Sequence, residues 1–372
     1  MCRRSLDLFL CFLIAVRPST PIKLSAFLVY ACIALRGVTA FSTGDELQDY
    51  SIGSSISGQL LTACHLLWLT DPLKDFKYNH ESVQPQSLPL WRRIYWAICV
   101  DHSPRGIGWN YQVTNVPPPP TSPRGHFIRT RILRAVRSFL LLDLAQSYIH
   151  LNPLFASKGA DALPIEAQNY LLRCLSIVAF CSTPYGMMNM QYSLLSVIHV
   201  VLGLSEPSDW PDVYGSWSDA YTVRRFWGRT WHQMLRRYVT SIGRYVTRSF
   251  RIAHGTWQSS YTQLYVGFIV SGIMHSCGGD LMVGKEFLGA SFPFFIAQAM
   301  AITCEDIAIG AMRRMGIKGP ATVIFGYVWV FVWFSISGPL YINWAVRAGL
   351  GQSELLPFSL VRALIPAHLL GF

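Results

Sequence analysis

Long stretches of this chain carry no charged side chain. Residues 174–205, 252–279 and 319–346 contain no Asp, Glu, Lys or Arg, and residues 50–70 and 287–304 are shorter runs of the same kind. A helix needs about 20 apolar residues to cross the hydrocarbon core of a bilayer, so each run predicts a membrane span. Residues 22–41 supply another, broken only by Lys23 and Arg36. Before it, Arg3 and Arg4 precede a short apolar run to Val16, like the opening of a signal peptide; the second apolar stretch behind it favours a retained first span or anchor. Residues 127–151 read as a helix with a basic entry (Arg129, Arg131, Arg134, Arg137) and an apolar body, and 355–372 is a weaker last segment. Pro184-Tyr185-Gly186, inside 174–205, predicts two helices meeting there or one bent helix. The expected fold is all-α and polytopic, with about eight to nine membrane segments.

Between the apolar runs the chain turns polar. Residues 71–124 are proline-rich and end in Pro117-Pro118-Pro119-Pro120, which favours extended polyproline II. Within them, residues 91–100 are aromatic and flanked by Arg92 and Arg93, as expected of an interfacial segment at headgroup level. Arg105-Gly106-Ile107-Gly108-Trp109-Asn110 follows; its two glycines permit a tight turn, and physics alone assigns it no further role. A polar loop at 206–218 carries Asp209, Trp210, Asp212 and Trp217, while Arg313, Arg314 and Lys318 mark another. Tyr341 and Trp344 sit where interface aromatics are expected. No internal repeat is visible. The chain reads as one membrane-embedded domain over 1–372: N-terminal spans 1–70, a polar loop with the interfacial segment 71–126, and a helical core 127–372.

Composition sharpens this picture. A soluble chain of 372 residues would make two or three domains, but apolar residues are 51% and charged residues 14% of the total. The net charge of +11 sits in the loops, where Lys and Arg set topology and meet anionic headgroups, so a nucleic-acid partner is not expected. Nine scattered cysteines without a Cys-x-x-Cys pair read as small buried hydrophobes. No nucleophile elbow, phosphate loop or dinucleotide fingerprint occurs, and no cluster has zinc-ligand spacing, so no metal and no bound cofactor are expected.

Two histidines carry the candidate chemistry. From Arg224 to Arg251 there are eight arginines and no acid. On a helix, Arg225, Arg229, His232 and Arg236 share one face, with Trp227, Trp231 and Tyr238 on a neighbouring face. The plain reading is a headgroup-binding amphipathic helix. The sharper reading uses the guanidinium groups as bidentate grips on phosphates such as those of coenzyme A, with His232 kept neutral among them. His275 lies in an uncharged span, behind a small-residue strip at Gly267 and Ser271. A buried neutral imidazole there is suited to taking a proton from an alcohol, although a lone helix histidine is more often structural. His65 reads as a hydrogen-bonded helix histidine. Asp143, Ser147 and His150 recur on one helix face, as either a structural cap or a cavity lining.

Phe226-Trp227-Gly228-Arg229-Thr230-Trp231 resembles the Phe-Trp-Gly-Arg-x-Trp mark of the wax-synthase-like branch of the membrane-bound O-acyltransferases. His232 and His275 fall where that family carries a polar residue after the tryptophans and an essential histidine some forty residues on; His232 replaces the usual Asn. The Arg105–Asn110 sequence and the Asp143 helix are similar to those of fungal terpenoid and meroterpenoid acetyltransferases of this branch. The resemblance implies an endoplasmic-reticulum enzyme with an intramembrane reaction chamber. Such an enzyme moves acetyl from acetyl-CoA, a co-substrate, to a hydroxyl of a hydrophobic polycyclic alcohol in secondary metabolism. His275 would be the base and His232 would orient the acceptor or polarise the thioester. Arg225, Arg229, Arg236, Trp227 and Trp231 would bind the donor, and Asp143 and Ser271 would line the cavity. The rivals are a long-chain wax or sterol ester synthase, a transporter lined by His65, Asp143 and His150, and a membrane terpene cyclase. Oligomeric state is not readable from the chain.

Overall fold

The computed structural model describes residues 2–79, 83–317 and 319–364. Lys318, the end of the last apolar segment (365–372) and the side chains of Arg3 and Arg4 lie outside what is described. The longer helices, named in chain order, are α1 (Cys2–Val16), α2 (Thr20–Thr39), α3 (Glu46–Cys64), α4 (Leu90–Asp101), α5 (Arg124–Leu151), α6 (Tyr170–Val201), α7 (Arg236–Ser249), α8 (Trp257–Met274), α9 (Phe292–Arg314), α10 (Ala321–Ser337), α11 (Pro339–Ala348) and α12 (Leu360–Leu364). The described residues contain no strand, only an isolated antiparallel bridge between Tyr78 and Trp109. Among them, five helical stretches are long and apolar enough to cross a membrane: Thr20–Thr39, Tyr170–Val201, Trp257–Val283, Lys285–Arg314 and Ala321–Ala348. The uncharged run at 50–70 forms α3 but is not among the five, because Ser, Gly and Gln dilute its apolar character.

Helical periodicity builds the N-terminal core. Leu6, Leu10, Leu13 and Ile14 of α1 bury one stripe together with Trp96, Ala97 and Val100 of α4. Trp91 and Tyr95 stay exposed on the other side of α4. Helix α6 is a single helix through Pro184. Proline lacks the N–H that would bond the Phe180 carbonyl one turn back, and the Thr183 hydroxyl donates to that carbonyl instead at 2.7 Å.

Among the described residues three π-helical turns interrupt the helices, at His65–Leu69, Phe226–Thr230 and His275–Asp280. Such turns are rare and concentrate at functional sites. Two of the three coincide with the stretches singled out for chemistry. The first begins at His65, which is buried with neither ring nitrogen finding a hydrogen-bond partner among the described residues, so the expected hydrogen-bonded helix histidine is not found there.

The run 319–346 breaks at Gly338–Pro339 into α10 and α11. Pro339 stands at the start of α11, where its missing N–H leaves no bond unmade. The break turns α11 inward, which corrects the expectation of interface aromatics. Trp344 is buried against Tyr50 and Phe287, and Tyr341 hydrogen-bonds Tyr50.

Candidate active site

His275 opens the third π turn, and small residues decide what stands beside it. A Cβ on Gly278 would lie 2.3 Å from the Gly53 carbonyl oxygen, and one on Gly279 would lie 2.5 Å from Ser54 Oγ. Only glycines let the backbone of α3 approach this closely. That approach places Tyr50 Oη 2.6 Å and Ser54 Oγ 3.4 Å from His275 Nδ1. Tyr341 donates to the Tyr50 oxygen at 2.5 Å. The imidazole lies parallel to the Phe295 ring at 4.8 Å and to the Tyr50 ring at 5.8 Å. Phe295 is held in turn because Asp280 accepts from the Ser291 N–H and hydroxyl, both at 2.8 Å, at the entry to α9. Nδ1 is therefore engaged, while no hydrogen bond among the described residues occupies Nε2, and the side chain keeps accessible surface.

The basic, aromatic stretch differs from its expected form. Arg225, Arg229, His232 and Arg236 do not share one helix face, because the helix ends at Thr230, Trp231 is extended, and α7 begins only at Arg236. Ending a helix leaves carbonyls unpaired. Gln233 Nε2 donates to the Trp227 and Trp231 carbonyls, and Arg236 donates to the Gly228 carbonyl at 2.9 Å and to Gln233 Oε1 at 2.6 Å. Arg236 thus stitches the turn. Arg225 is engaged by the Asp219 carboxylate and lies over the Tyr221 ring. Arg224 forks onto Asp306. Arg229 is half-exposed and stands 4.0 Å from Asp219.

Trp227 donates to Gln298 Oε1 at 3.3 Å and meets Phe294, which touches both Phe295 and Tyr341. An aromatic wall therefore runs from the tryptophan motif to the rings around His275. Trp231 packs against Tyr214, Phe226 and His232. His232 Nδ1 is buried without a hydrogen-bond partner among the described residues. Burial, and then the charge of Arg105, lowers the His232 pKa to about 4, so the ring is neutral near pH 7. Its ring also lies within electrostatic reach of His275.

Asp143 goes elsewhere. Its carboxylate accepts from the backbone N–H of Leu360 and Val361 at 2.8 and 2.9 Å, capping α12. Ser147 bonds Ser359, and His150 lies 3.6 Å from Glu354, so this face of α5 clasps the segment that follows α11. Ser271 precedes His275 by one turn, and its carbonyl accepts from the His275 N–H. Tyr50, Ser54 and Phe295 carry no mark of this site in the sequence, and Tyr341 reads there only as an interface aromatic. Tyr50 and His275 are 225 positions apart, and the one usable hint was the pair of Gly/Ser strips around 53–58 and 276–279.

Comparison with known proteins bears on this arrangement. Residues 210–297, which hold both histidines, match the membrane bound O-acyl transferase family. Residues 123–201 match the aspirochlorine biosynthesis protein F C-terminal domain. Over 360 residues the chain is 31% identical to the acetyltransferase eriL of Hericium erinaceus, covering 95% of this chain and 93% of that one. It is 34% identical over 335 residues to the acetyltransferase ple2 of Rhodocybe pseudopiperita, covering 88% and 86%. It is 28% identical over 330 residues to the O-mevalon transferase macI of Penicillium terrestre, covering 79% and 75%. No solved structure matches. The chain belongs to the membrane bound O-acyl transferase family and is an acyltransferase of the membrane, acting with an acyl donor on a hydrophobic alcohol.

Proposed function

We propose that this protein transfers an acetyl group from acetyl-CoA to a hydroxyl of a hydrophobic terpenoid or meroterpenoid, with His275 as the general base. The observation that carries the reading is the His275 ring, clamped at Nδ1 by Tyr50 and open at Nε2. When Nδ1 bears the proton and donates to the Tyr50 oxygen, Nε2 presents the lone pair that a base needs. The acceptor's O–H proton passes to Nε2 as its oxygen attacks the thioester carbonyl. The C–S bond then breaks, and the CoA thiolate takes the proton back from His275. His232, neutral near pH 7, orients the acceptor or donates to the thioester oxygen as negative charge develops.

A reaction chamber inside eight to nine membrane segments of a single domain is part of this reading. Its support is that His232, His275, Tyr341 and Cys181 lie deep among the helices yet keep accessible surface, as side chains lining an internal space do. The donor's phosphates would meet Arg229, which is not committed inside the fold as Arg225 and Arg236 are. The names acetyltransferase eriL and ple2 support acetyl as the acyl group, and the endoplasmic reticulum is the expected membrane. A second reading, a larger acyl group, is favoured by the O-mevalon transferases among the relatives.

The test is to give microsomes bearing the protein labelled acetyl-CoA and a panel of hydroxylated terpenoids, and to seek a new ester by mass spectrometry. Unlabelled mevalonyl- and long-chain acyl-CoA serve as competitors. His275→Ala at matched expression is expected to lower turnover about 10²–10⁴-fold. Near wild-type turnover would remove His275 from the mechanism.

A further inference from the structure

The Arg105–Asn110 sequence is built to hold one buried cation. Gly106 and Gly108 have positive φ of 63° and 76°, and a Cβ on either would lie 2.6 Å from the Tyr111 ring or 2.8 Å from the Tyr78 ring. Trp109 is buried among Tyr78, Trp96 and Tyr111. Asn110 bridges the backbone at Asp75 and Lys77, with bonds of 2.8 and 2.9 Å. This tight knot aims Arg105, only 4% exposed, at the loop before the tryptophan motif. There its guanidinium donates to the carbonyls of Asp212 and Pro211 and to the Tyr192 hydroxyl, at 2.5, 3.0 and 2.8 Å.

All three acceptors are neutral. The Asp212 carboxylate is taken by Arg131 and Arg134, and no carboxylate among the described residues pairs with Arg105. A buried charge without a counter-charge is expensive. Two residues beyond Asp212, Tyr214 packs its ring against His232 at 6.1 Å.

We infer that Arg105 is a positioning residue whose unneutralised charge supplies the positive potential against which negative charge forms during acyl transfer. The missing counter-charge is the thioester oxyanion and the departing thiolate, present only during reaction. Arg105 does not touch the reacting atoms; it acts through His232 and the field of the site. This rests on the chamber at His232 and His275 proposed above.

Two substitutions separate charge from hydrogen bonding in the full-length protein. Arg105→Lys keeps the charge on a different donor, while Arg105→Gln keeps an amide donor and removes the charge. In microsomal acetyl transfer from acetyl-CoA to the acceptor found by the terpenoid panel, Arg105→Gln is expected to lower kcat about 10- to 100-fold, with KM for acetyl-CoA unchanged. Arg105→Lys is expected to recover most of that loss. Equal losses in both variants, or an unaltered kcat in Arg105→Gln, would overturn the inference in favour of a loop anchor.

A second measurement does not depend on activity. His232 meets the Tyr214 ring and lies within electrostatic reach of Arg105 and His275, and Arg105 disfavours its protonated form. The purified protein should therefore lose thermal stability between pH 7 and pH 5 relative to His232→Asn, and Arg105→Gln should shrink that difference. An unchanged difference would overturn the electrostatic role. If the wild type acetylates no acceptor, the proposed function fails, and this stability comparison still decides whether the charge of Arg105 acts on His232.

Discussion

Replacing Tyr50 with Phe deletes one oxygen and leaves the rings in place. The stack on His275 at 5.8 Å and the contact with Trp344 at 5.6 Å need only the ring, so packing should persist. The 2.6 Å bond to His275 Nδ1 and the 2.5 Å bond from Tyr341 are lost. In the ground state His275 is neutral and the bond is worth little. Once Nε2 has taken the acceptor's proton the ring is cationic, and a hydrogen bond to a charged group contributes about 1.5–3 kcal/mol. The bond also fixes the tautomer that leaves Nε2 free. Tyr50→Phe should therefore lower kcat about 10- to 150-fold and leave KM for acetyl-CoA unchanged, since the loss falls on the transition state alone. Tyr341→Phe removes only the donor to Tyr50 and should have a smaller effect. The assay is initial-rate acetyl transfer at saturating acceptor, with detergent elution profiles confirming folded protein. A well-folded Tyr50→Phe with kcat within about twofold of wild type would show that the tyrosine does not serve the base.

Three further outcomes are expected. Arg229→Ala should raise KM for acetyl-CoA with little change in kcat or yield, whereas Arg236→Ala should reduce folded protein, because it takes the donor from Gln233 Oε1 and leaves the Gly228 carbonyl to Asn115 alone; KM titration and size-exclusion profiles distinguish them, and the reverse pattern would refute the assignment. Gly278→Val should prevent correct packing of α3 against the His275 turn, since its Cβ would meet the Gly53 carbonyl at 2.3 Å; a normally folded, active variant would count against the close approach. The folded pKa of His232, about 4, lies below the usual histidine value near 6.5. The unfolded chain thus binds more protons between these values, so the stability due to the neutral ring is full above about pH 6.5 and falls as pH drops toward 4. Thermal unfolding from pH 7 to 5 should show a steeper decline for the wild type than for His232→Asn, and parallel declines would contradict the burial of that ring.

Much of this architecture follows from local chemistry. Charge-free runs must be helices in or beside a bilayer because lipid cannot satisfy an exposed backbone, and all five spans coincide with stretches readable in the sequence, three of them with the long charge-free runs, one with the shorter run at 287–304 and one with the stretch interrupted by Lys23 and Arg36. His275 was legible for the same reason: a histidine in a charge-free span needs a partner. Which partner it finds was not legible, because Tyr50 reaches it only where Gly53, Gly278 and Gly279 let two helices nearly touch.

The arginines teach the complementary lesson. Helical spacing put Arg225, Arg229 and Arg236 on one face, but the π turn at Phe226–Thr230 breaks that periodicity. Asp219 and the Gly228 carbonyl then claim two of the three. Asp143 was readable as a polar group needing a partner, and only the arrival of Leu360 and Val361 made it a cap. Residue types and local periodicity determined that this chain is a helical membrane protein with one histidine in a basic, aromatic stretch and another in a charge-free span. Tertiary structure decided which polar groups are consumed holding the fold and which stay free to act, because that choice depends on partners brought together from far along the chain.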